Sequence, residues 1–73
     1  MTIYVALLDE GTAVWCPVEA TAVAVDAYRI DSVNAAPEDE RWEYQHGDIV
    51  VCESHEFSDG LTALVAVGRT TGV

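Results

Sequence analysis

Glycine, proline, aspartate and asparagine cut this chain into short β-prone stretches, and that punctuation constrains its fold more than any other feature. Thr2-Ile3-Tyr4-Val5-Ala6-Leu7-Leu8 suits a strand. Asp9-Glu10-Gly11-Thr12 supplies turn chemistry, with Gly11 free to take positive φ. Ala13-Val14-Trp15-Cys16 resumes a strand, and Pro17, lacking an N–H, confines its end to an edge or a bulge. Residues 18–25 continue it. Thr21, Val23 and Val25 resist the helix that Ala20, Ala22 and Ala24 would accept, and a turn follows near Asp26.

Tyr28-Arg29-Ile30 reads as a short strand, and residues 32–40 as a loop, with a helical turn after Pro37 as a local alternative. Trp42-Glu43-Tyr44 alternates apolar and polar, and Gln45-His46-Gly47-Asp48 is a turn. Ile49-Val50-Val51-Cys52 is a β-branched strand that can run on to Phe57. Ser58-Asp59-Gly60 is the clearest hairpin signal, and residues 61–67 close the set. Five or six strands with turn signals roughly every 8–12 residues predict an all-β fold, a small antiparallel barrel. The reading assigns residues 1–68 to one small β-barrel domain and 69–73 to a flexible C-terminal tail.

The two terminal stretches carry an additional constraint. Ile3, Val5 and Leu7 oppose Tyr4, Ala6 and Leu8; Leu61, Ala63, Val65 and Val67 oppose Thr62, Leu64 and Ala66. A half-exposed strand is polar on one face, whereas these are apolar on both. A chain of 73 residues buries only about 60% of its unfolded surface and has little second layer of its own. The expectation is that a second copy of the chain covers these strands, as a homodimer or a higher homo-oligomer.

Two segments carry a family resemblance. Leu8-Asp9-Glu10-Gly11-Thr12-Ala13-Val14-Trp15-Cys16-Pro17-Val18-Glu19-Ala20 and Trp42-Glu43-Tyr44-Gln45-His46-Gly47-Asp48-Ile49-Val50-Val51-Cys52-Glu53 resemble a family of small uncharacterised bacterial proteins. These run as a Glu-Gly-Thr turn, a Val-Trp-x-Pro-Val strand and a Trp-Glu-aromatic-x-x-Gly turn. The resemblance spans most of the chain from the first strand to Gly60. It implies an SH3-like or Sm-like small barrel and brings no function with it. It also implies Arg where Cys16 stands, a departure that weakens any chemistry resting on that thiol. Sm-like barrels form rings and bind RNA, and Tyr44-Gln45-His46 is similar in outline to a Tyr-Lys-His motif of that class. Gln45 replaces the basic residue. Tyr44 and His46 are the nucleic-acid candidates that the resemblance implies.

Charge opposes that role. Thirteen Asp and Glu face three Arg and no Lys, for a formal net charge of −10. Nucleic-acid binding draws its affinity from cations that neutralise phosphates, so nucleic acid is an unfavoured partner, and anionic membrane surfaces are unfavoured for the same reason. A basic protein is the favoured class of partner. Genome composition or salt adaptation would also give an acidic, lysine-free chain.

Cys16, His46, Cys52 and His55 are of the right types for a metal, but no CxxC pair exists, and Cys52 and His55, three apart, point to opposite faces of a strand. A catalytic thiol needs electropositive surroundings that this chain lacks. The carboxylates of Asp9, Glu10, Glu38, Asp39, Glu40 and Glu43 read as solvated loops. No metal, cofactor or catalytic residue is assigned, and no enzymatic activity is expected. Trp15, Trp42 and Tyr4 are the candidates for protein contact, set against a core or interface role. Thr2–Leu8 is too short for a secretory signal and has no basic flank, and no run approaches the roughly 18 residues of a membrane span. The expected location is the cytoplasm, with both thiols reduced. The favoured expectation is a non-enzymatic, self-associating acidic interaction module. The alternatives are a degenerate Sm-like RNA binder and a small metal-binding domain.

Overall fold

Alternation of inward and outward side chains organises the molecule into strands. The computed structural model describes residues 1–10, 14–36, 38–57 and 59–70. The strands are β1 (Thr2–Leu8), β2 (Trp15–Ala24), β3 (Ala27–Ile30), β4 (Arg41–Trp42), β5 (Ile49–Glu56) and β6 (Thr62–Arg69). Five of them close on themselves in the order β1-β2-β3-β5-β6, and β4 is an extra strand on β1. The small all-β barrel expected from the sequence is therefore the fold, in a form compatible with the SH3-like and Sm-like class.

An odd number of strands dictates one departure from a purely antiparallel barrel. Each step of the meander reverses direction, so the first and fifth strands run the same way and can meet only in parallel. β1 and β6 do so, through the single register pair Tyr4↔Val65; every other pairing is antiparallel.

Hydrogen-bond parity explains why Pro17 is tolerated. Leu7 N–H donates to Val14 O, and Ala20 N–H donates to Met1 O. Odd residues of β1 thus bond to even residues of β2, and Pro17, opposite Tyr4, has its nitrogen turned away from β1. β3 joins β2 from Ala20 onward, so among the described residues no strand is paired to the outer edge at Pro17, as its chemistry requires.

Ile3, Val5, Ile30 and Val50 are fully enclosed, and Val18, Ala20, Trp42, Cys52 and Ala66 complete the core. Between β3 and β5 the chain crosses to β1, where Leu7 pairs with Trp42 and Leu8 with Arg41, and then returns. Asn34 organises this excursion: its amide nitrogen donates to Glu40 O, and its Oδ1 accepts from Ala36 N. Asp39 and Glu40 N–H both return to Ala36 O, giving the single turn anticipated near Pro37, itself outside the described residues. The strand expected over 42–44 is shorter, because Trp42 turns into the core and Gln45 begins the next turn.

Left-handed residues sit in four turns, Gly47 with φ 87° in the one before β5. Asp26 takes φ 61° between β2 and β3, and Gly60 takes φ 88° between β5 and β6. At the first hairpin Asp9 takes φ 64°, while Gly11 and Thr12 lie outside the described residues. Ser58, part of the hairpin signal, lies outside them as well. β6 continues to Arg69, and Thr70 N–H donates to Ile49 O, so the sheet holds two residues assigned to the tail; residues 71–73 of that tail lie outside the described residues.

Candidate functional site

The outer surface of β1 is where side chains of recognition value converge. Because Ile3 and Val5 fill the interior, Tyr4 and Ala6 face outward. In β2, Cys16, Val18 and Ala20 face inward, which puts Trp15, Pro17 and Glu19 outside. The register lays Pro17, Tyr4, Val65 and Glu53 in one row across β2, β1, β6 and β5. Along β5, Glu53, His55 and Phe57 then share the outer face by the period of two.

Four rings gather there. Phe57 meets Tyr4 edge-on at 5.5 Å, His55 at 4.8 Å and Trp15 at 6.2 Å, while His55 and Trp15 lie 5.6 Å apart. These separations fall in the favourable range for aromatic pairs, each worth about 0.5–1.5 kcal/mol beyond burial. Phe57 meets each of the other three rings, so the cluster is continuous. Val65 beneath them is 3% exposed, although it points away from the core. At Val65 the chain itself therefore supplies cover that was expected from a second copy. Tyr4, Trp15 and Phe57 remain half-exposed and His55 is exposed.

Sequence reasoning named Trp15 and Tyr4 and missed Phe57 and the aromatic role of His55. The signal was present: a strand extended to Phe57 puts His55 and Phe57 on one face, opposite an apolar stripe. Trp42 is corrected. It is 6% exposed and part of the core, and its indole N–H donates to Glu40 at 3.3 Å, so its ring is not offered to a partner.

Tyr44 and His46 do not converge. Tyr44 packs against the core, and burial, then Glu43, raise its phenol pKa against the opposing effect of Arg69. His46 is exposed in the turn with Nδ1 3.0 Å from Asp31 O; a carbonyl only accepts, so Nδ1 carries the proton. Arg69 lies 6.0 Å from the Tyr44 ring centre but is held by Asp48 at 3.3 Å. The other arginines are likewise engaged, Arg29 with Asp31 at 3.1 Å and Arg41 with Asp9 at 2.7 Å, and the N-terminal ammonium meets Glu19 at 3.2 Å. Four of the thirteen carboxylates thus occupy every Arg and the amino terminus, and the other nine have no ion pair among the described residues.

The thiols are directed inward. Burial, reinforced by Asp26, pushes Cys52 up to about 11, and burial, then Glu40, raises Cys16. Protonated thiols are poor nucleophiles and poor ligands. His46 sits in a turn and His55 on the outer face, and among the described residues no three His, Cys, Asp or Glu are grouped to hold a metal. Among the described residues no helix is long and apolar enough to cross a membrane.

The chain matches no protein-family model, no curated protein and no solved structure.

Proposed function

We propose that this barrel is a non-enzymatic interaction module whose contact surface is the Tyr4–Trp15–His55–Phe57 cluster and whose partner is a basic protein. The observation that carries the reading is the cluster itself: four rings, three half-exposed and that of His55 exposed, gathered outside a barrel in which Trp42 is the one aromatic member of the buried core among the described residues. Aromatic rings are enriched at binding hot spots, and their faces attract cations. The nine carboxylates without an ion pair supply long-range attraction for the same partner.

The test uses oligolysine of about ten residues, at an ionic strength near 10 mM where screening is weak. With Trp42→Phe as background, Trp15 is the only indole reporter. Binding should perturb Trp15 fluorescence, and Phe57→Ala should weaken it about tenfold, the loss of one hot-spot ring. Equal affinity of the two proteins would reduce the interaction to unspecific charge and sink the proposal. Binding of mixed single-stranded RNA at roughly 10 µM, within the non-specific range, would instead revive the nucleic-acid alternative.

Self-association is a second reading, favoured by Leu61 and Val67, which stay 66% and 47% exposed on β6 and the turn before it. Light scattering on concentrated protein decides it: a strict monomer removes this reading and leaves the first intact.

A further inference from the structure

β5 outruns the strand beside it. β3 pairs with β5 over Ile49, Val50 and Val51, and Asp26 O accepts from Cys52 N–H as the last bond of that ladder. Beyond Cys52, β5 is paired only with β6 among the described residues. Parity fixes which groups are left over. Phe57 N–H donates to Leu61 O, so Phe57, His55 and Glu53 exchange bonds with β6, and the N–H and C=O groups of Ser54 and Glu56 point away from it. Cys52, bonded toward β3, obeys the same alternation. The open stretch from Cys52 to Glu56 is about 14 Å long at a strand's usual rise.

Natural sheets guard such edges with proline, lysine or bulges. This chain does so elsewhere: the open edge of β2 carries Pro17, and Glu19 N–H at its end is taken by the Ser32 hydroxyl. Along β5 from Cys52 to Glu56 there is no proline, no lysine and no register shift; the bulge of that hairpin lies earlier, between Val51 and Cys52. Among the described residues the edge is regular, and the charges of Glu53 and Glu56 are its guard.

Its charge selects the occupant. Asp26 stands at its head, close enough to raise the Cys52 thiol pKa, and Glu53 and Glu56 are exposed along it, all without an ion pair among the described residues. A second copy would bring its own Glu53 and Glu56 to the same edge, adding like charge to like. We propose that this edge takes an extended basic segment of another protein as an added strand, with main-chain bonds to Ser54 and Glu56 and alternate Lys or Arg side chains reaching Glu53 and the neighbouring rings of His55 and Phe57. The proposal rests on the reading of the barrel as a module for basic partners, and adds where and in what conformation such a partner binds.

The probe is a capped peptide of about seven residues, a typical strand length, alternating lysine and valine, titrated into the full chain at low salt. At saturation, the amide protons of Ser54 and Glu56 should exchange at least about tenfold more slowly, as bonded amides do. Ser54→Pro removes one of those donors and should weaken binding about tenfold. If that variant does not fold, Glu53→Lys with Glu56→Lys leaves the backbone intact and should weaken binding to a similar extent. Peptide binding without protection of Ser54 and Glu56 would overturn strand addition while sparing the ring-cluster reading. Protection that grows with protein concentration alone would overturn it in favour of a second copy. No binding of the peptide or of oligolysine would overturn both.

Discussion

Trp42 carries the largest share of a thin core in one side chain. Its ring belongs to the core cluster against which Leu7 packs, and its backbone is paired with Leu7 of β1. Trp42→Ala should cost about 3–5 kcal/mol, the usual range for a buried aromatic, and so most of the stability of a domain this small. Urea unfolding followed by circular dichroism measures it; a loss under about 1 kcal/mol would contradict the core assignment. Cys52 makes a second residue-scale prediction. Its folded-state pKa is raised from 9.0 to about 11, so the folded protein holds a proton that the unfolded chain has given up over that window. The contribution is fully present below about pH 9 and is lost as pH rises toward about 11, with a slope of at most about 1.4 kcal/mol per pH unit. Cys52→Ala should flatten that stretch of the stability profile, and at about pH 8 the native thiol should react with iodoacetamide far more slowly than in urea.

At the scale of elements, the β5–β6 hairpin separates conformational strain from packing. Gly60 has φ 88° and open space, with nothing within 4 Å of the point a Cβ would occupy; Gly68 has the same open space without the positive φ. Gly60→Ala should therefore destabilise by about 1 kcal/mol through the backbone alone, whereas Gly68→Ala should be neutral or slightly stabilising. Thermal melts of the pair check the contrast. Strand existence was legible in the sequence because short-range chemistry decides it: β-branched runs, Asp26, Gly47 and Gly60 each act within a few residues. Two things were not legible. Trp42-Glu43-Tyr44 showed only an apolar–polar alternation that left Trp42 between core and contact, and the crossing to Leu7 is what places it in the core. The aromatic cluster joins Tyr4 and Trp15 to His55 and Phe57 across roughly half the chain; local alternation puts His55 and Phe57 on one face, but only the closing of the barrel brings that face to Tyr4 and Trp15. Val65, on one of the strands for which a second copy was expected as cover, is only 3% exposed within the single chain.

Over the whole molecule, acidic repulsion works against the fold. With every Arg engaged and nine carboxylates lacking an ion pair among the described residues, adding salt removes more repulsion than attraction. The melting temperature should rise between about 10 mM and 500 mM NaCl, a range over which the screening length shrinks several-fold. A fall would mean that the ion pairs at Asp9, Glu19, Asp31 and Asp48 outweigh the rest. The parallel meeting of β1 and β6 has a further consequence. The first strand begins at the end of the barrel opposite to where the last one finishes, so sequences attached before β1 and after β6 emerge at opposite poles. Tandem copies would string out along a line, and a circular permutant would need a linker long enough to run the height of the barrel, about 25 Å for strands of this length.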